Sequence, residues 1–190
     1  MKPYSSTLLL LTSLLFFTGA QKPNTTGINW LSLEEAQQKM QQKPKKLFVD
    51  LYTDWCGWCK VMDKNSFSHP VIQELMNQYF YAVKFNAEKG DSLQFNGKGY
   101  RLLGRSGRPL HQWAKAFGST EKGLSYPTTI LFDHQLNKIQ TIPGYLDAHT
   151  LEKVLVYIGN DFGFKGMSWP DFEANYPSRI PPSKKETKKH

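Results

Sequence analysis

The amino-acid sequence predicts an α/β fold with a mixed central β-sheet flanked by helices. The strand and helix patterns follow the order β-α-β and then β-β-α, which is typical of such a fold. The first of these strands leads through two closely spaced cysteines directly into a helix. Once the N-terminal segment described next is set aside, about 170 residues remain, enough for one domain with its own hydrophobic core.

The first 20 residues are predicted to be a secretory signal peptide. Lys2 precedes an apolar run from Leu8 to Phe17, and the small residues from Thr18 to Ala20 favour cleavage after Ala20. A retained membrane anchor is the alternative, but a bilayer-spanning helix needs about 20 apolar residues and this run is much shorter. Export predicts a periplasmic or secreted protein, in a compartment where disulfides persist.

The formal net charge is +8, and four of the lysines lie in the last ten residues, PPSKKETKKH. This segment, 181–190, has no apolar residue after Pro182 and is predicted to be a solvated, disordered tail. The aromatic residues do not interleave with the basic tail, so the sequence argues against a nucleic-acid partner.

The N-terminal half of the predicted domain, which spans 31–159, starts after a polar, turn-rich linker at 21–30. Ser32 is the predicted N-cap of the first helix, and Glu35 completes a capping box. The run KLFVDLYT, 46–53, is short, apolar and rich in β-branched and aromatic residues, which predicts a buried strand.

Two helices and a strand are predicted next. CKVMDKNSF (59–67) follows the cysteines directly, and HPVIQELMNQY (69–79) has Pro70 at a position that a helix tolerates. YFYAVKFNA (79–87) has the apolar, aromatic composition of a strand.

The segment 91–125 is predicted to be an insertion before the next strand. Asn96-Gly97 indicates a hairpin, and RPLHQWAKAF (108–117) indicates a short helix. Three arginines give this segment local positive charge: Arg101, Arg105 and Arg108. The segment is expected to pack on the domain as a lid, with selection of partners as the alternative.

The C-terminal part of the domain is predicted to contain a hairpin and a helix. YPTTILFD (126–133) and LNKIQTIPG (136–144) are the two strands, and DAHTLEKVLVYIG (147–159) is the helix. The segment 160–180 is too aromatic for a free linker, so it is expected to fold back on the domain with a short helix near 169–174.

Cys56 and Cys59 are the only cysteines in the chain. A disulfide between them would close a loop too short to give much structural stabilisation. A metal site needs two further ligands, and the scattered histidines do not supply them, so neither a metal nor another cofactor is expected. The four histidines that precede the basic tail are interpreted as one residue at a helix start, His69, and three surface residues, His111, His134 and His149.

A redox couple is the favoured interpretation of this cysteine pair. Cys56 falls at the predicted start of a helix, where free N–H groups and the helix dipole favour an anionic sulfur. Cys59 lies one helical turn further on, so its thiol can attack a mixed disulfide formed by Cys56.

The sequence WCGWCKVMDKNSFSHPVIQELMNQYFYAVKFNAEKG resembles the thioredoxin superfamily. It is more closely similar to exported bacterial thioredoxin-like proteins related to the periplasmic disulfide reductases. The resemblance covers about 31–159 and implies a thioredoxin fold. It also implies that Cys56 is the nucleophile and that Cys59 is the resolving thiol.

The same resemblance implies roles for five other residues. Asp50 matches a buried acid that assists proton transfer to the second cysteine, and Lys84 matches the lysine that pairs with this acid; a purely structural ion pair is the alternative. Pro127 matches a cis-proline that faces the cysteines, and Tyr126 offers backbone groups to an extended substrate. Gly144 resembles a glycine that keeps the substrate groove open.

Thioredoxin has Gly-Pro between its cysteines, whereas this chain has Gly57-Trp58. Trp55 and Trp58 are expected to form an apolar lip for the substrate, and the reduction potential of thioredoxin does not transfer. The sequence predicts an exported oxidoreductase that reduces protein disulfides with electrons from a membrane-borne thiol–disulfide donor. A disulfide oxidase or isomerase and a peptide-binding or chaperone module without redox turnover remain alternatives, and the oligomeric state stays open.

Overall fold

The computed structural model describes residues 27–104 and 107–182. The predicted signal peptide, Arg105 and residues 183–190 of the predicted tail lie outside the described residues. Within those two ranges, no helix has both the length and the apolar character that a bilayer crossing requires.

The described chain contains nine strands and six α-helices. In chain order they are β1 (Trp30–Leu31), α1 (Leu33–Gln42), β2 (Lys46–Tyr52), α2 (Gly57–Met62), α3 (Pro70–Tyr79), β3 (Phe80–Asn86), β4 (Leu93–Phe95), β5 (Lys98–Tyr100), β6 (Leu102–Leu103), β7 (Leu110–His111), α4 (Gln112–Gly118), β8 (Thr128–Phe132), β9 (Lys138–Pro143), α5 (Ala148–Gly159) and α6 (Trp169–Asn175). A π-helical turn, Asp63–Phe67, continues α2.

Five strands form a mixed sheet in the order β1-β3-β2-β8-β9. Strands β1, β3 and β2 are parallel, while β8 is antiparallel to both β2 and β9. The predicted fold class, a mixed sheet flanked by helices with an insertion before the strand that follows Pro127, is therefore confirmed.

Strand β2 lies in the middle of the sheet, and its side chains alternate between two hydrophobic clusters. Phe48 packs with α3 and α5 on one face, and Val49 packs with α1 and α4 on the other. Both side chains are fully buried. A strand covered on both faces has an almost continuous apolar sequence, which explains why this strand was readily predicted.

The helix starts agree with the predicted capping residues. Ser32 and Glu35 form the complete capping box at the start of α1. The imidazole of His69 caps α3, and the carboxylate of Asp147 caps α5. The N-terminal boundary differs from the prediction, because Trp30 already pairs with β3. Trp30, the last residue of the predicted linker 21–30, is thus the first residue of strand β1.

The insertion 91–125 forms two β-hairpins and α4. The predicted turn at Asn96-Gly97 joins β4 to β5, and both residues have the positive φ angles that such a tight turn requires. The predicted helix over 108–117 begins only at Gln112, because Leu110 and His111 pair with β6 instead. The insertion belongs to the core, since the side chain of Trp113 is fully buried.

His111 corrects the interpretation of the histidines as surface residues, because its side chain is fully buried. Its Nδ1 accepts the backbone N–H of Trp113 and caps α4, which leaves the hydrogen on Nε2 to be donated to the carbonyl of Asp91 at 3.0 Å. Its own backbone N–H donates to the carbonyl of Ala87 at 2.7 Å. Burial is possible because both ring nitrogens have partners.

The aromatic segment after α5 packs against α5. Helix α6 places Phe172 against α5 with 4% of its surface exposed. The following residues wrap around the carboxylate of Glu152, which lies on α5 and is fully buried. Among the described residues, five hydrogen bonds reach this carboxylate. They come from the hydroxyl groups of Tyr176 and Ser178, from the backbone N–H groups of Arg179 and Ile180, and from Nε of Arg179.

Candidate functional site

The cysteine pair and Pro127 lie at the same end of the sheet. Leu51, near the end of β2, is directly opposite Thr128, the first residue of the antiparallel β8. The chain that leaves β2 towards Cys56 therefore lies beside the chain that enters β8 from Pro127. The Tyr126–Pro127 peptide bond is cis, as expected.

Cys56 and Cys59 form a disulfide bond, and 4% and 3% of their surfaces are exposed. Cys56 is the N-cap of α2, where its Sγ accepts the backbone N–H of Cys59 at 3.1 Å. Because an N-cap position places the first free N–H groups of the helix close to this sulfur, it favours negative charge there when the bond is reduced. The sulfur that the sequence predicts as the nucleophile has this position.

Asp50 and Lys84 lie opposite each other on β2 and β3 and form an ion pair. The Nζ of Lys84 donates to Oδ2 of Asp50 at 2.9 Å. Only 1% of Asp50 is exposed, and its Oδ1 has no hydrogen-bond partner within the described chain. Burial raises the pKa of Asp50, and the positive charge of Lys84 only partly opposes this effect.

Lys84 also forms an ion pair with Asp63, which sequence analysis missed. Burial lowers the pKa of Lys84, but the carboxylates of Asp50 and Asp63 outweigh it, so the pKa is raised and the lysine stays charged. Asp63 is four residues after Cys59, so helical spacing could have indicated its proximity to the cysteines. That Asp63 pairs with Lys84, in contrast, depends on how β3 packs beside the helical segment that contains Asp63.

Aromatic rings surround the ammonium group of Lys84. Its Nζ lies 5.2 Å from the ring centre of Trp30, 5.0 Å from that of Tyr52 and 5.5 Å from that of Phe67. Such contacts attract a cation and restrict its movement. The geometry therefore fixes Lys84 between a buried carboxylate and a half-exposed one.

Trp55 is 57% exposed beside the cysteine pair, and three contacts hold its ring. Its Nε1–H donates to the carboxylate of Glu88 at 2.8 Å, and its ring meets that of Tyr126 edge-on with centres 5.8 Å apart. The guanidinium carbon of Arg108 lies 5.3 Å from its ring centre. Burial, and secondarily the charge of Glu88, raise the pKa of Tyr126 to about 12, so this phenol is neutral.

Trp58 is 58% exposed and packs against Tyr145, with ring centres 5.4 Å apart. The two tryptophans thus contact different tyrosines, Trp55 with Tyr126 and Trp58 with Tyr145. These tyrosines flank Pro127 and Gly144, which are joined by a hydrogen bond from the Gly144 N–H to the Pro127 carbonyl at 2.8 Å. Tyr145 and Glu88 carried no distinctive signal in the sequence.

The two glycines predicted for the site differ in their environment. Gly144 has φ +95°, a conformation that other residues rarely adopt, and a Cβ atom built on it would meet no atom within 4 Å. Gly57, at the first position of α2, has an ordinary φ angle and equally open surroundings. Gly144 is thus required by its backbone conformation, whereas Gly57 leaves space in front of the cysteines.

No group of three or more His, Cys, Asp or Glu side chains within 27–104 and 107–182 has an arrangement that could hold a metal ion. The chemistry that these residues can perform is thiol–disulfide exchange, because a dithiol at a helix start lies beside a buried carboxylate and an exposed aromatic surface.

Comparison with known proteins agrees with this chemistry. The model of a family described as a thioredoxin-like domain matches residues 33–159. Over 118 residues, 60% of its length, the chain is 27% identical to the thiol:disulfide interchange protein DsbD of Haemophilus influenzae. The match covers 17% of that protein, so the chain corresponds to a small part of this relative.

Many solved structures are similar in fold, including the following two. A candidate disulphide-isomerase from Bacteroides thetaiotaomicron is 27% identical and has a TM-score of 0.50, with coverage of 72% of this chain and 95% of that one. A thioredoxin from Thermus thermophilus is 15% identical and has a TM-score of 0.54, with coverage of 74% and 93%. The second likeness concerns the fold alone.

Proposed function

Because this chain belongs to the thioredoxin-like domain family, a family of disulfide oxidoreductases, we propose that it reduces disulfide bonds in proteins outside the cytoplasm. The observation that carries the proposal is the Cys56–Cys59 disulfide at the start of α2, where Sγ of Cys56 accepts a helix N–H. Family membership supports thiol–disulfide exchange in general. The direction of electron transfer, the protein substrates and the location outside the cytoplasm are proposed in addition.

The reaction begins with the reduced protein. The thiolate of Cys56 attacks one sulfur of a substrate disulfide, the substrate S–S bond breaks, and its other sulfur leaves as a thiolate that takes up a proton. Cys59 then loses its proton and attacks Sγ of Cys56. The mixed disulfide breaks, the second substrate sulfur leaves, and the Cys56–Cys59 disulfide forms. Two electrons pass from the protein to the substrate.

Asp50 is proposed to accept the proton of Cys59 during this second step. A carboxylate at its ordinary pKa would be a weak base at neutral pH, and burial raises the pKa of Asp50 towards the useful range. Its Oδ1 has no partner among the described residues and is free to accept a hydrogen. Lys84 is proposed to position this carboxylate through the other oxygen, Oδ2.

The substrate is proposed to bind as an extended segment beside the cis-proline. The backbone N–H and carbonyl of Tyr126 make no hydrogen bond within the described chain, because the ladder of β8 starts only at Thr128. An extended peptide could therefore pair with Tyr126 as an added strand. Trp55 and Trp58 would contact its side chains, and Gly57 and Gly144 would leave room for its backbone.

We propose that a membrane-borne thiol–disulfide donor supplies the electrons. A protein outside the cytoplasm has no access to cytoplasmic reductants, and the relatives called thiol:disulfide interchange proteins indicate exchange between proteins. The export itself is proposed from the signal-peptide pattern of residues 1–20. The likeness to a candidate disulphide-isomerase makes isomerisation the second candidate function.

The test is equilibration of the protein in glutathione buffers, with the thiol content of Cys56 and Cys59 measured after acid quenching. A reduction potential of about −270 mV is expected for a reductase, and one of about −120 mV would indicate an oxidase instead. The Cys59→Ser variant should accumulate a mixed disulfide with substrate, whereas Cys56→Ser, the matched control, should not. A chain that forms no Cys56–Cys59 disulfide at any potential would contradict redox function.

A further inference from the structure

We propose that Arg108 is a specificity-determining residue that favours substrates with a carboxylate beside their disulfide. This inference rests on the proposed function and adds a substrate preference to it. Arg108 lies in the loop of the β6–β7 hairpin, within the insertion, and the resemblance of the chain to thioredoxin assigned this residue no role.

Arg108 extends over the residue that directly precedes the nucleophile. Its guanidinium carbon lies 5.3 Å from the ring centre of Trp55, and Cys56 is the next residue in the chain. Because a guanidinium group that stacks on an indole ring keeps its N–H groups in the plane of the group, they can still donate sideways to a carboxylate. Arg108 therefore places a positive charge over the residue that directly precedes Cys56.

The guanidinium donors of Arg108 have no acceptor among residues 27–104 and 107–182. The residue is exposed, and no other residue of the described chain forms an ion pair or hydrogen bond with its side chain. The neighbouring acids already have partners: Glu88 accepts the indole N–H of Trp55, and Asp54 contacts Lys89 and Asn86. A substrate carboxylate would thus meet a cation that has no carboxylate partner among the described residues. Glu88 keeps its negative charge, because the indole N–H that it accepts is neutral, so attraction by Arg108 has to outweigh that repulsion.

The hairpin that carries Arg108 is anchored to the strand next to β2. His111 in β7 is fully buried, and its backbone N–H donates to the carbonyl of Ala87 directly after β3. Leu103 pairs with Leu110 on the two sides of the loop. This anchoring holds the base of the hairpin beside Glu88. Arg108 lies over the ring of Trp55, and Glu88 accepts the Nε1–H of the same ring.

A second positive charge lies next to the cysteine pair in the sequence. Lys60 directly follows Cys59 and is exposed. It makes the surroundings of the disulfide more favourable for an acidic segment, but only Arg108 combines charge with the planar geometry that binds a carboxylate through two N–H groups. We therefore assign the discrimination to Arg108.

The experiment compares two peptide disulfides that differ only by Glu or Gln beside one cysteine. The protein is reduced with dithiothreitol, freed of the reductant and mixed with each peptide, and the peptide thiols are counted after acid quenching. The wild type should reduce the Glu peptide about two- to fivefold faster at low ionic strength, the size expected for an exposed charge pair. The ratio should fall as salt is added.

Three variants locate the effect. Arg108→Gln should bring the ratio of the two rates to about one, and Arg108→Lys, which keeps the charge but not the planar group, should retain part of the preference. The matched control Arg101→Gln removes an exposed arginine of the same insertion and should keep the wild-type ratio. A circular-dichroism melt of each variant establishes that it is folded.

The possible failures are distinguishable. Equal rates for the two peptides with the wild-type protein, or an unchanged ratio in Arg108→Gln, would overturn the role of Arg108 while the reductase function stands. If the wild type reduces neither peptide, the proposed function fails, and the substrate preference fails with it.

Discussion

Asp50 and Glu152 are two buried carboxylates whose acidities are shifted in opposite directions. Asp50 lies on the central strand β2, near the cysteine end of the sheet, and is 1% exposed, whereas Glu152 lies on α5 under the C-terminal segment and is fully buried. The pKa of Asp50 is raised, and that of Glu152 is lowered. Burial alone therefore does not determine the charge state of either group.

The difference arises from the number of hydrogen bonds that each carboxylate accepts. Burial raises the pKa of Glu152 too, but hydrogen bonds from Ser178, Arg179, Tyr176 and Ile180 outweigh it and lower the pKa overall. Asp50 has one lysine on Oδ2 and no partner for Oδ1 within the described residues. A fully satisfied carboxylate is held as an anion, whereas a partly satisfied one takes up a proton more readily.

The comparison separates a structural role from a proposed reactive one. Glu152 joins α5 to the segment that follows α6, and its hydrogen-bonding capacity is used for that purpose. Asp50 has one carboxylate oxygen, Oδ1, without a hydrogen-bond partner among the described residues, and it lies close to the cysteine end of the sheet. A buried polar atom without a partner costs stability, so its presence beside a candidate site supports a part in the reaction.

The largest effect is expected from Glu152→Ala. The substitution would leave the buried backbone N–H groups of Arg179 and Ile180 without an acceptor and would detach the C-terminal segment from α5. We expect the free energy of unfolding to fall by about 3 kcal/mol or more, measured by urea denaturation. Glu173→Ala, which removes a half-exposed acid of α6, is the matched control and should change stability by less than about 1 kcal/mol.

The pH dependence of stability gives a second measurement at the same residue, on the variant Glu152→Gln. Because the folded pKa of Glu152 is below its ordinary value of 4.5, its contribution is present above that value and is lost as the pH falls through the folded pKa. Glu152→Gln should therefore flatten the acid side of the stability profile. An unchanged acid limb would contradict the anchoring role of Glu152.

Asp50→Asn is expected to have an intermediate effect, and chiefly on the reaction. Without a base, release of substrate from the mixed disulfide should slow about 10- to 100-fold at neutral pH, measured by quenched-flow thiol counting. Attack by Cys56 should change less, because that sulfur is stabilised by a helix N–H instead. Equal slowing of both steps would indicate a general structural disturbance.

Asp50→Asn should change the pH dependence of the free energy of unfolding in the direction opposite to the change expected for Glu152→Gln. The folded pKa of Asp50 is above its ordinary value of 3.8, so its stabilising contribution is complete below that value and is lost as the pH rises through the folded pKa. Because an asparagine side chain does not titrate, Asp50→Asn removes this loss of stability with rising pH. Lys84 keeps Asp63 as an ion-pair partner in the variant. Stability at neutral pH should therefore stay equal or increase, and a large loss would contradict the raised pKa.

The smallest effect is expected from Asp63→Asn. Its side chain is 46% exposed, so its loss should change the free energy of unfolding by less than about 1 kcal/mol. The negative charge of Asp63 contributes to the raised pKa of Asp50, so the pH profile of substrate release should move to lower pH. A pH profile that moves to higher pH, or does not move, would contradict an effect of Asp63 on the pKa of Asp50.

Local patterns were sufficient to predict most elements and the cysteine pair. The apolar run of β2, the capping box at Ser32 and the turn at Asn96-Gly97 depend on residues close in sequence, and each prediction is confirmed. His111 was assigned to the surface, which is wrong, because its burial depends on distant carbonyls that accept its hydrogens. Its position in the sequence shows neither partner.

The sequence by itself determined the α/β order of elements, the position of Cys56 at a helix start and the residue types available to the site. These follow from hydrophobic periodicity and from the requirements of helix ends. Only the tertiary structure decided that Asp50 keeps one oxygen without a partner, that Lys84 also contacts Asp63 and that Arg108 stacks on Trp55. These contacts join residues far apart in the chain, and packing between elements, rather than local preference, brings them together.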